Sequence, residues 1–181
     1  MSLAQRNLKT VNTKIKQTVS QAYREVAAHP DSPEAVSFLR KVGAGLKALG
    51  QGIPLTKTTL NKEDFVDKAM PKIAKLEKVV AGGFAASKIP QPKDAKLKKG
   101  ASTQIRNTMR PVSYLKGIKD ALNGKTPDYK TAAARIERMA DSLEVGVQLK
   151  AGNVTGARRK ASAVVNDGYV PSSVQKLLTI H

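Results

Sequence analysis

The sequence predicts an all-α protein: an irregular bundle of five to seven amphipathic helices with a basic linker in the middle. Three observations predict it. Apolar residues recur every three or four positions along most of the chain. Capping residues, twice followed by proline and an acid, stand where those stripes begin, and glycines stand where several of them end. Nowhere does a sustained apolar–polar alternation mark a strand.

Leu8, Val11, Ile15, Val19, Ala22 and Val26 advance by three or four and predict a first helix from about Leu3 to Ala28. His29-Pro30 ends it, because a residue before proline is pushed out of the helical region. Ser32-Pro33-Glu34 then reads as N-cap, N1 proline and early acid, opening a helix with Val36, Leu39, Val42, Leu46 and Leu49 on one side. Gly50 and Gly52 close it, and residues 50–61 read as a loop. Asn61, followed by Glu63 and Asp64, predicts a third helix with Phe65, Ala69, Ile73, Leu76 and Val80 inward, kinked or restarted at Pro71.

From Ser87 to Ser102 the chain has two prolines, a glycine and five lysines with no apolar period, which reads as the linker. A fourth helical region runs from about Thr103 to Asn123, with Pro111 marking a break. Thr126-Pro127-Asp128 repeats the cap, proline and acid signal before a helix carrying Tyr129, Ala133, Ile136, Ala140, Leu143 and Val147. Gly152-Asn153 suits a left-handed C-terminal glycine followed by an asparagine N-cap. The next helix runs to about Val165, Asp167-Gly168 stops it, and a short last helix covers Ser172 to Thr179. The expected division is an N-terminal helical part over 1–86, the linker over 87–102 and a C-terminal helical part over 103–181, with one continuous domain as the alternative.

Charge is the strongest functional signal. The chain carries 32 Lys and Arg against 14 Asp and Glu, a formal net charge of +18 on 181 residues. Such a molecule attracts polyanions, and nucleic acid is the commonest of them. With no Cys there is no disulfide framework, thiolate metal site or cysteine nucleophile. The longest apolar run, Val79 to Ala86, is far too short to span a bilayer, and no apolar signal-peptide core follows Met1. The chain therefore reads as soluble, with a virion or the cytoplasm as its expected place. Its first 24 residues hold Arg6, Lys9, Lys14, Lys16 and Arg24 and no acid; a basic amphipathic helix explains them better than an organellar presequence.

Catalytic constellations are missing from the sequence. The Gly43–Gly50 run lacks the preceding strand that a phosphate loop needs, and small residues for close helix packing explain it better. Glu63, Asp64 and Asp67 sit where acids complement a helix dipole, with no histidine nearby. The only histidines are His29, before a proline, and His181. We expect a non-enzymatic protein without cofactor or metal.

The basic clusters define the candidate site. Lys96, Lys98, Lys99, Arg106, Arg110, Lys116 and Lys119 occupy a stretch with no acid, and Lys93 precedes it on the linker. Arg158, Arg159 and Lys160 lie early in a helix, where the dipole disfavours cations, so an external anion could complete the site with N–H groups after Asn153. Few aromatics interleave with these cations, which argues against base stacking and for non-specific contact with the phosphate backbone. The expected function is a non-catalytic structural protein in a nucleic-acid-containing assembly, for example a virion internal, portal-proximal or ejected protein, with other subunits as further partners. The alternative is a protein–protein adaptor docking on an acidic partner or a membrane surface; the lack of Trp and Phe in the first helix weakens the membrane form.

Overall fold

The computed structural model describes residues 1–30, 32–87 and 112–165. These residues are all-helical, with no strand among them. The described residues form seven helices: α1 (Leu3–Ala28), α2 (Pro33–Gly52), α3 (Lys57–Leu60), α4 (Phe65–Gly82), α5 (Val112–Asn123), α6 (Tyr129–Lys150) and α7 (Val154–Val165). The expected linker up to Ser102, the Thr103–Pro111 part of the fourth region and the Ser172–Thr179 helix lie outside the described residues, apart from Ser87.

Helix α1 starts on a capping box. Ser2 Oγ accepts from Gln5 N at 3.2 Å and Gln5 Oε1 accepts from Ser2 N at 2.9 Å, satisfying two donors the helix leaves open. It ends at His29, as the following proline requires. Ser32 caps α2, its Oγ accepting from Ala35 N at 3.1 Å with Pro33 at the first position.

The segment read as a loop over 50–61 is more ordered than that. Helix α2 runs through Gly52, and one further turn, α3, forms behind Thr56, whose Oγ1 accepts from Thr59 N at 3.2 Å. Four residues are too few for a period to show. Helix α4 begins at Phe65 rather than at Asn61, which instead closes α3. Pro71 does not divide α4. It stands on the solvent side with Asp67, so water can satisfy the carbonyl its missing N–H leaves open, while Phe65, Ala69, Ile73, Leu76 and Val80 are buried on both sides of it.

The start of α6 also differs from the reading. Its cap is Asp128, not Thr126: Asp128 Oδ1 accepts from Thr131 N at 2.9 Å, and the Thr131 hydroxyl donates to Oδ2 at 2.6 Å. Those two bonds hold the Asp128 carboxyl below its ordinary range. The turn into α7 is as read. Gly152 takes φ +79° and Asn153 Oδ1 accepts from Gly156 N at 2.8 Å.

One cluster of buried side chains draws on helices from both sides of the 88–111 stretch: Val11, Ile15 and Val19 of α1, Phe38, Leu39, Val42 and Leu46 of α2, Ile73 and Leu76 of α4, Ile118 and Leu122 of α5, and Ile136, Met139, Ala140 and Leu143 of α6. Helix α6 packs against α2, α5 and α7, and α1 closes the opposite side against α4. Glycines set the closeness of α2. A Cβ at Gly50 would stand 3.1 Å from Tyr129 Cβ, and one at Gly45 would stand 3.0 Å from Leu76 Cδ1. The Gly43–Gly50 run is therefore a packing surface inside a helix, as its sequence context implied.

After α4, residues 83–87 turn back over α2. Phe84 packs on Phe38 with ring centroids 5.2 Å apart and on His29 edge-on at 6.1 Å. The Ser87 hydroxyl and N–H both donate to the Glu34 carboxylate, and Ser32 Oγ adds a third bond at 3.1 Å. These donors, Ser87 foremost, hold Glu34 at about 2.

Candidate nucleic-acid interface

Of the expected site residues, Lys93, Lys96, Lys98, Lys99, Arg106 and Arg110 lie outside the described residues. The other five fall on two helices. Lys116 and Lys119 are exposed on α5, and with Asn123 they are spaced i, i+3, i+7, one stripe of the helix. Asn123 Oδ1 accepts from Lys16 Nζ at 3.2 Å, so this stripe meets the basic edge of α1. The Arg135 guanidinium of α6 reaches the same helix from the other side and donates to Gly117 O.

The triplet on α7 divides. Arg158 and Arg159 are exposed. Lys160 turns to α6, with Nζ 3.0 Å from Asp141 Oδ1 and 3.2 Å from Glu144 Oε2. Arg40 of α2 reaches the same two oxygens at 2.9 Å each. Two cations and two carboxylates make a locally neutral cluster. Burial works against the Lys160 charge, yet the bonds and attraction from Asp141 and Glu144 outweigh it and raise its pKa. The anion site imagined after Asn153 also loses one donor, because the Gly156 N–H is already held by the Asn153 cap.

Several basic features escaped the sequence reading. Lys62, Lys68 and Lys72 surround a cavity of about 240 Å³ with Ile53, Phe65 and Ala69 among its walls. Lys68 pairs with Asp64 at 2.9 Å, and Lys72 donates to Gly52 O at the C-terminal end of α2, where the helix dipole favours a cation. The Asp64 carboxyl is held below its ordinary range by its bond to Lys68. Asp67 lies in the first turn of α4, so the acid trio meets ordinary helix electrostatics. Among the described residues, no three His, Cys, Asp or Glu gather as metal ligands, and no helix is long and apolar enough to cross a membrane.

The Arg40–Asp141–Glu144–Lys160 cluster had one weak sequence signal, the i, i+3 spacing of its acids on one helix. Its cations come from distant points of the chain, which no local pattern reports. Comparison with protein-family models, with curated proteins and with solved structures found no match.

Proposed function

We propose that this protein is a non-catalytic structural component of a nucleic-acid-containing assembly, an irregular bundle of amphipathic helices that contacts phosphate backbone without reading sequence. The observation that carries this is where the charge stands. The ion-paired cluster at Arg40 and Lys160 is internally neutral, whereas Arg6, Lys9, Lys47, Lys75, Lys119 and Arg159 stand exposed on a chain of net charge +18. A surface of that kind concentrates a polyanion. A virion component close to the genome is the setting that suits a small, basic, cysteine-free chain best. The apolar residues of α1 that would have to enter a membrane, Val11, Ile15, Val19 and Val26, are buried in the core, which disfavours the membrane form of the adaptor alternative.

The test is a binding titration against random-sequence duplex DNA over a range of salt. Log affinity should fall linearly with log salt, with a slope close to 0.9 per phosphate neutralised, or ~5 for six contacts. Replacing Lys96, Lys98 and Lys99 together by Ser should weaken binding equally on all sequences, and Arg158→Gln with Arg159→Gln should weaken it too. Lys160→Gln should affect folding more than binding, because its charge is already matched. A flat salt response, or strong preference for one sequence, refutes the reading.

A further inference from the structure

Helix α1 has two unlike sides. Val11, Ile15, Val19, Ala22 and Val26 are buried, together with Asn7, Asn12 and Thr18. At 100° per residue these occupy somewhat less than half of the helix circumference. The exposed side holds Arg6, Lys9, Thr10, Thr13, Lys14, Gln17, Ser20, Gln21 and Arg24, without one acid and without one large apolar residue. Its composition has an order. Neutral hydrogen-bonding residues form the central strip, Lys9 and Lys16 lie along one edge and Lys14 along the other, and Arg6 and Arg24 mark its ends about 27 Å apart. Two half-exposed acids border this side: Glu25 of α1 itself, next to Arg24, and Glu77 of α4, 3.9 Å from Lys14 Nζ.

We propose that this outer side of α1 is a docking surface for duplex DNA, seated along the major groove; the proposal rests on the nucleic-acid reading above. Charge complementarity selects a polyanion, and the arrangement selects the duplex. Cations on both edges can meet the two phosphate ridges, while hydroxyls and amides in the centre face base edges. Ser, Thr and Gln both donate and accept, so they can meet any base pair without strong selection. The B-form major groove is wide enough to admit an α-helix, and that of A-form RNA is too narrow. The central strip carries no aromatic to stack single-stranded bases, and the one aromatic of α1, Tyr23, is half-buried at its edge in line with Lys16. Lys16 extends the surface to Lys116 and Lys119 through Asn123, so the sequence-predicted cations of α5 belong to the same face.

The experiment compares the full chain with a variant carrying Arg6→Gln, Lys9→Gln and Arg24→Gln, three exposed positions with no acid partner among the described residues. The salt slope on a random duplex should fall by ~3, and affinity at moderate salt by ~10-fold or more. An unchanged circular dichroism spectrum shows that the variant folds, and restoring charge with Arg6→Lys, Lys9→Arg and Arg24→Lys should restore binding. The parent should protect guanine N7 from dimethyl sulfate and bind double-stranded RNA of equal length ~10-fold more weakly. If the parent does not bind duplex DNA, the nucleic-acid reading itself fails. If the parent binds and the folded variant binds equally, α1 is not the surface, although the reading stands. Equal affinity for double-stranded RNA overturns the groove seating, and tighter binding of polyglutamate than of DNA makes the partner an acidic protein.

Discussion

Asn12 shows how a polar residue can belong to a core. Its Nδ2 donates to Leu122 O at 2.9 Å, and its Oδ1 accepts from the Tyr129 hydroxyl at 3.0 Å, so one amide ties α1 to the end of α5 and the start of α6. Asn7 acts likewise on α3, donating to Leu60 O at 2.8 Å and Lys62 O at 3.0 Å. Buried amides and carbonyls left without partners cost more than the bonds contribute when made, so these contacts fix which helix ends meet. Burial also drives the Tyr129 phenol well above its ordinary range, leaving it a donor at any ordinary pH. Tyr129→Phe should therefore destabilise the protein by ~1–2 kcal/mol in urea unfolding, the cost of leaving Asn12 Oδ1 unsatisfied. A change within error would mean that the amide finds another partner. The burial of Tyr129 was legible from the apolar stripe it shares with Ala133 and Ile136, but the bonds made by Asn12 and Asn7 were not. On α1 the sequence displays Val11, Ile15 and Val19 at helical spacing, whereas Asn12 looks like a surface residue until Tyr129, 117 positions on, closes over it.

At the scale of the element, the contact between α2 and α6 depends on the missing side chain at Gly50. A Cβ there would lie 3.1 Å from Tyr129 Cβ and 3.6 Å from Lys130 N, atoms tied to the backbone of α6. Gly50→Val should force the helices apart and lose ~1–3 kcal/mol. Gly82→Ala is the matched control. Nothing lies within 4 Å of that Cβ and the residue is helical, so alanine should stabilise α4 by up to ~1 kcal/mol. Equal effects of the two, measured by thermal unfolding, would refute the packing argument. Helix existence was largely legible, because Ser32, Asn153 and the apolar stripes are local signals. Boundaries were less so. Thr126 and Asp128 both suit a cap, and the choice fell to Asp128 because its carboxylate can take both the N–H and the hydroxyl of Thr131.

For the whole molecule, the excess of positive charge acts on stability as well as on partners. Like charges on one compact body repel, and dissolved ions screen them with a Debye length of ~10 Å at 0.1 M salt. The local pairs at Asp64–Lys68 and Lys14–Glu77 are exposed and contribute little, so screening them costs little. The melting temperature should accordingly rise as NaCl increases from ~10 to ~200 mM, and a falling one would mean that specific ion pairs outweigh general repulsion. The sequence made this charge plain. It could not report that Arg40 and Lys160 are matched internally, because that depends on α2 and α7 converging on one face of α6.

The partnership of α2 with α6 also bears on how the polypeptide could be divided. Phe38, Leu39 and Leu46 precede the 88–111 segment, Ile136, Ala140 and Leu143 follow it, and all six belong to one buried cluster. Covalent continuity between the two stretches is thus not what keeps them together. A chain cut between 88 and 111 would behave as a heterodimer, its fragments finding each other through the apolar faces that each alone would leave bare to water.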